Sequence, residues 1–151
     1  MVKLELSAVE ARYLKEALRI AETGGSFSVS ALSRRLSVSM PSVIGVLKRL
    51  ENKGLIHRNP WKPPELTKEG RMAAEQFIHA HRVIEVFYHS FLGLEAGTAC
   101  REASAIDYVV SEEVVGRLCT TVKRPDKCFH GLPIEHSKSD NRINLSGGKY
   151  N

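Results

Sequence analysis

The stretch Ser28-Val29-Ser30-Ala31-Leu32-Ser33-Arg34-Arg35-Leu36-Ser37-Val38-Ser39-Met40-Pro41-Ser42-Val43 decides the fold. Ala31, Leu32 and Leu36 share one face of a short helix over Val29–Leu36, and Ser37-Val38-Ser39 supplies a three-residue turn. A longer helix then runs from residue 40 to about residue 53, where Gly54 closes it. Ser39 suits its N-cap, and Pro41 is tolerated because first-turn amides have no helical partner. Two helices joined by so short a turn make a helix-turn-helix.

Outward from that core the pattern extends in both directions. Upstream, Ser7-Ala8-Val9-Glu10 fits a capping box, and Val9, Tyr13, Leu14, Ala17, Leu18 and Ala21 stripe a helix that stops at Gly24-Gly25. Downstream, Leu55-Ile56-His57 and Glu65-Leu66 flank the Pro-rich segment 59–64, which predicts a two-stranded wing. Thr67 then caps a long helix to about residue 92, with Met72, Phe77, Ile84, Phe87 and Phe91 as its expected apolar face. Further helices are expected over residues 98–108 and 111–122, followed by a compact loop over 128–134 and a polar, disordered tail. The fold expected is mainly α: a winged helix-turn-helix over 1–66, a helical domain over 67–135 and a tail over 136–151.

Charge follows the same division. The 151 residues carry 22 Lys and Arg against 17 Asp and Glu, a net +5. Residues 1–66 hold 11 basic and 6 acidic side chains, whereas the rest balances, and residues 28–62 hold seven basic and one acidic. That places a polyanion-binding surface on the helix-turn-helix. No apolar run reaches the ~20 residues that span a bilayer, and the start lacks the apolar stretch of a signal peptide. Three scattered cysteines argue against a disulfide framework and for the reducing cytoplasm. No enzyme is expected: Cys100 or Cys128 beside a histidine lacks an orienting group.

In a winged helix the second helix of the motif enters the major groove of double-stranded DNA. Its N-terminal residues here are Ser39, Met40, Pro41 and Ser42, with Gly45 a turn later. Arg34, Arg35, Lys48, Arg49, Arg58 and Lys62 flank them as phosphate partners. No Arg, Asn or Gln occupies the first two turns, so specificity is expected from thymine-methyl contacts and DNA shape as much as from hydrogen bonds.

Several blocks in order, Leu36–Val43, Leu47–Leu55, Leu66–Gly70, His81–Glu85, Leu92–Leu94, Ser111–Val114 and Cys128–Ile134, resemble the metal-dependent repressors typified by the diphtheria toxin repressor and the manganese transport regulator. The resemblance spans about residues 5–135. It implies a cytoplasmic homodimer, a sequence-specific transcriptional regulator, whose helices four to six form a dimerisation and metal-sensing domain. Ala103, Ile106, Val110, Val114, Val115 and Leu118 then suit a dimer seam. The alternative function is a general chromosome-coating protein on the same scaffold, for which a uniform footprint would speak.

The resemblance also implies metal ligands. His81 and Glu85 match two ligands of the family's ancillary site and stand at i, i+4 on one helix face. The third position holds Cys100, with His89 one turn further along the face as a substitute. The metal expected there is Mn, Fe or Zn, or none. At the family's primary site stand Arg12, Ser104, Asp107 and Tyr108, of which only Asp107 is a good ligand. Two readings follow: an Arg12–Asp107 ion pair that clamps the two domains in place of metal and leaves DNA binding metal-independent, or an Arg12 that points to solvent beside a decayed site. Cys128-x-His130 reads as a structural loop, with zinc binding beside Cys119 as the other reading.

Overall fold

The computed structural model describes residues 5–136, which divide into two units within one long helix, between Phe77 and Ile78. In the first unit, Ser7 and Glu10 close the expected capping box, and α1 runs Ala8–Glu22 with Leu14, Ala17 and Leu18 buried. α2 (Val29–Leu36) is capped by Ser28, whose hydroxyl accepts from the Ala31 amide. It ends on Ser37 in the left-handed region (φ 54°), while the Ser33 hydroxyl donates to the Val38 carbonyl at 2.6 Å. α3 (Met40–Asn52) starts from the Ser39 cap, with Pro41 in its first turn. Val43, Val46, Leu47 and Leu50 turn its inner face onto the core.

β1 (Ile56–Asn59) and β2 (Lys62–Leu66) pair antiparallel, Ile56 opposite Leu66 and Asn59 opposite Lys62. The strands are longer than the sequence suggests, because Pro63 and Pro64 lie inside β2 and not in the tip. A two-stranded ribbon has a free edge on each strand, where a missing N–H costs nothing. The tip is only Pro60-Trp61, held by the Asn59 side chain accepting from the Trp61 amide at 2.9 Å.

The wing is welded to α4 (Lys68–Leu92) at its first turn. The Thr67 hydroxyl donates to the Gly54 carbonyl at 2.7 Å and accepts from the Gly70 amide at 3.0 Å. A Cβ on Gly70 would lie 1.8 Å from the Leu55 carbonyl oxygen, so only glycine permits this approach. Along α4 the buried apolar side chains are Ala73, Ala74, Ile78, Ala80, Val83, Ile84 and Val86. Met72 and Phe91, expected inward, are exposed. Small and β-branched residues take the inner stripe because it packs closely.

The second unit packs the later part of α4 with α5 (Ala96–Ile106) and α6 (Glu112–Thr121). Val83, Ile84, Ala103, Val115, Cys119, Cys128 and Ile134 form its core. α5 begins earlier than expected because Glu95 caps it, accepting from the Gly97 and Thr98 amides. Ala103 and Val115 are core residues, so they drop out of the expected seam, whereas Val114 is exposed. After α6 the chain turns back as a hairpin-like loop: Ile134 N–H donates to Asp126 and Cys128 N–H to Leu132, at 2.8 and 2.9 Å. Nearly all of the tail, residues 137–151, lies outside the described residues. Among the described residues no helix is long and apolar enough to cross a membrane.

Candidate functional site

The first unit presents the expected basic surface. Arg34, Arg35, Ser39, Pro41, Ser42, Lys48, Arg49 and Lys62 are exposed, and Arg58 is half-buried. Three of these cations are already paired: Arg35 with Glu16 at 2.6 Å, Arg49 with Glu10 at 3.6 Å and Arg58 with Glu51 at 3.7 Å. The guanidinium side of the Arg35 and Arg49 pairs is exposed (51% and 54%) while the acid is largely buried, so each guanidinium can face a phosphate from the solvent side. Among the described residues Arg34, Lys48 and Lys62 make no ion pair. Lys53 is withdrawn from the surface set, its ammonium donating to the buried Glu10 at 2.9 Å. Burial alone would raise the Glu10 carboxyl, but the Ser7 amide and Lys53 hold it below the usual carboxylate range.

On α3 the Ser39 and Ser42 hydroxyls bond each other at 2.8 Å, which occupies part of their capacity for bases. What the helix offers outward is apolar: Met40 is 52% exposed and Ile44 43%. These suit thymine methyls. Trp61, 92% exposed at the wing tip, was missed by the sequence reading. Its signal was there, an indole between prolines in the shortest possible turn.

In the second unit, His81 and Glu85 project from one face of α4 toward α5, and both are buried. His81 Nε2 lies 3.4 Å from Glu85 Oε2 and 3.5 Å from Cys100 Sγ. The donor atoms of His81, Glu85 and Cys100 all lie within 4.8 Å of one another. A direct N–H···O bond would be ~2.7–3.2 Å, shorter than the His81–Glu85 separation. A tetrahedral ion with bonds of ~2.0–2.3 Å sets its ligands ~3.3–3.7 Å apart. The two edges from His81 Nε2 fit an ion. Glu85 Oε2 is also buried without a hydrogen-bond partner among the described residues, an atom placed for a cation.

His81 is oriented from behind. Its Nδ1 lies 3.1 Å from Asp107 Oδ2, with Ser104 Oγ at 3.4 Å. An Nδ1–H donated to that carboxylate leaves the Nε2 lone pair facing Glu85 and Cys100, the usual support of a ligating imidazole. Burial alone would lower the His81 pKa, but Asp107 and Glu85 together raise it above 6.5. Glu85 is held below the usual carboxylate range: burial opposes this, and His81 and the Cys128 thiol outweigh it. Two buried carboxylates around one imidazole leave negative charge that a divalent cation neutralises.

Asp107 thus has a partner the sequence did not suggest. The expected clamp and the histidine site draw on the same carboxylate. Arg12 is exposed on α1, in the other unit, and Tyr108 is half-buried. His89, the substitute ligand, is not among the donors that converge with His81; its Nδ1 lies 2.8 Å from the Leu94 carbonyl, closing the end of α4, and its ring packs on Phe129. Cys119 is buried in the same core as Cys128, with its sulfur 3.4 Å from His136 Nδ1.

A winged helix-turn-helix followed by a helical unit with a His–Glu–Cys cluster defines a metal-binding DNA-binding regulator. Residues 5–62 match the iron dependent repressor N-terminal DNA binding domain, and residues 67–136 match the iron dependent repressor metal binding and dimerisation domain. The chain belongs to the iron-dependent repressor family, a family of transcriptional repressors and not of enzymes. It is 38% identical over 96 residues to the transcriptional regulator MntR of Escherichia coli O6:H1, covering 64% of this chain and 61% of that one. It is 30% identical over 122 residues to the diphtheria toxin repressor of Corynebacterium glutamicum, covering 81% and 54%. A solved manganese-dependent transcriptional repressor in complex with manganese superposes with a TM-score of 0.72 at 26% identity, over 85% of this chain and 59% of that one. The chain therefore spans little more than half the length of these relatives.

Proposed function

We propose that this chain is a cytoplasmic, homodimeric repressor that binds double-stranded DNA under the control of a transition metal held by His81, Glu85 and Cys100. The observation that carries the reading is the convergence of those three donors within 4.8 Å of one another, with His81 held by Asp107. The bound ion would neutralise the buried carboxylates and tie α4 to α5. A thiolate in the set favours Fe2+ or Zn2+ over the harder Mn2+. DNA is held by Arg34, Arg35, Lys48, Arg49, Arg58 and Lys62, with Ser39, Pro41, Ser42 and the neighbouring Met40 and Ile44 at the bases. The apolar outer face of α3 favours shape and methyl readout over bidentate hydrogen bonding. Metal content and DNA affinity of His81→Ala beside wild type test the proposal. Loss of both supports it, and unchanged metal content with unchanged affinity removes it.

A further inference from the structure

The wing ends in an aromatic ring that neither the phosphate contacts nor the bases of α3 employ. Trp61 is 92% exposed, whereas the next most exposed large apolar side chain among the described residues, Val109, stands at 60%. A ring of this size can bury more apolar surface than any aliphatic side chain, so its full display to water is a cost that a partner recovers. We propose that Trp61 is an apolar wedge that enters the minor groove of duplex DNA beside the major-groove site of α3, favouring easily unstacked pyrimidine–purine steps. The proposal deepens the DNA-binding reading above and rests on it.

Charge selects the partner. Arg58 and Lys62 stand on the two strands behind the tip, and residues 28–62 hold seven basic side chains and one acidic. The wing's own acid, Glu65, stands opposite His57, back from the tip. A cationic collar around the ring suits a polyanion and opposes burial against neutral apolar surface. Shape selects the groove. An α-helix, ~10–12 Å across, fills the major groove, whereas the minor groove beside it is only ~6 Å wide. A tip of two residues carrying one flat ring is thin enough for the narrower groove. Apolar side chains inserted there part the base stack and kink the duplex, at least cost at TA and CA steps. The tip is also preordered. Asn59 pairs with Lys62, the Asn59 side chain accepts from the Trp61 amide at 2.9 Å, and Pro60, Pro63 and Pro64 stiffen the backbone on both sides. Little backbone freedom is then lost on insertion.

Trp61 is the sole tryptophan of the chain, so intrinsic fluorescence reports the tip alone. The Zn2+-loaded full chain is titrated with a duplex recovered by selection from a random-sequence pool. Anisotropy of a label on the duplex follows binding, and acrylamide quenching of the indole follows its burial. At saturation the indole should be quenched by stacking and its accessibility to acrylamide should fall. Trp61→Ala, a change at a side chain exposed enough to leave the packing intact, should weaken binding roughly 5- to 150-fold, the worth of one aromatic–base stack. Its salt slope should stay that of wild type, because no phosphate contact is lost, and Trp61→Phe should recover most of the affinity. Wild type should prefer flanking TA steps to AA steps, and Trp61→Ala should lose that preference. Duplex binding with the indole as accessible as before, or wild-type affinity in Trp61→Ala, overturns the wedge and leaves the DNA reading standing. Equal affinity of wild type for TA and AA flanks overturns it in favour of a sugar–phosphate contact. Protection that precedes DNA and grows with protein concentration assigns the tip to a second copy, and protection given by phosphatidylserine vesicles but not by duplex assigns it to a membrane; either overturns it. No anisotropy change with wild type removes the DNA reading and the wedge with it.

Discussion

Replacing Asp107 with Asn probes the metal centre without touching a ligand. The side chain keeps its size and one acceptor oxygen, but loses the charge 3.1 Å from His81 Nδ1. A hydrogen bond to a charged group contributes ~1.5–3 kcal/mol when buried. Loss of a carboxylate behind a ligating histidine typically weakens metal binding ~10–100-fold, or ~1.4–2.7 kcal/mol. The two estimates agree. Asn can still accept the Nδ1–H, so Asp107→Asn should sit near tenfold and Asp107→Ala nearer a hundredfold. Competition between the protein and a chromophoric chelator for Zn2+ measures this directly, with thermal melts of the metal-free forms showing whether each variant is folded. Wild-type affinity in both variants would refute the orienting role.

The other predictions follow from single features. Wild-type DNA affinity should fall with salt at a log–log slope of roughly −7 to −11, and Arg34→Ala with Lys62→Ala should flatten that slope while weakening all sequences alike. Gly70→Ala forces a Cβ into the Leu55 carbonyl and should destabilise the first unit by at least ~1–3 kcal/mol in denaturant unfolding. The raised His81 pKa means that the metal-free protein holds the imidazolium's stabilisation fully below about 6.5, the unfolded value. It loses that stabilisation as pH rises through the folded value, while metal affinity rises over the same window. Melts of apo wild type and His81→Gln across that range should differ in slope, and parallel curves would count against it.

The fold was legible because its signals are local. Ser7 with Glu10 and Ser39 cap their helices as read, and the Val29–Leu36 helix came out residue for residue. The wing was under-read because a proline in a free edge strand looks the same as one in a turn. The α4 face was misassigned because aromatic residues attract attention while Ala73, Ala74 and Ala80 do the close packing. In the site, His81 and Glu85 were visible through i, i+4 spacing. Asp107 was read as the partner of Arg12 and His130 as part of a loop pair with Cys128; their proximity to α4 was not legible, since it depends on how α5 and the later loop pack. Cys128 had been read as loop structure for the same reason.

The central claim is that metal at His81, Glu85 and Cys100 licenses DNA binding. Fluorescence anisotropy with a duplex recovered by selection from a random-sequence pool tests it, before chelation, after chelation and after return of Fe2+, Zn2+ or Mn2+. Chelation should release wild-type protein from the duplex, metal should restore binding, and His81→Ala should stay weak throughout. Undiminished affinity in chelator, lost only in Arg12→Ala, would contradict it.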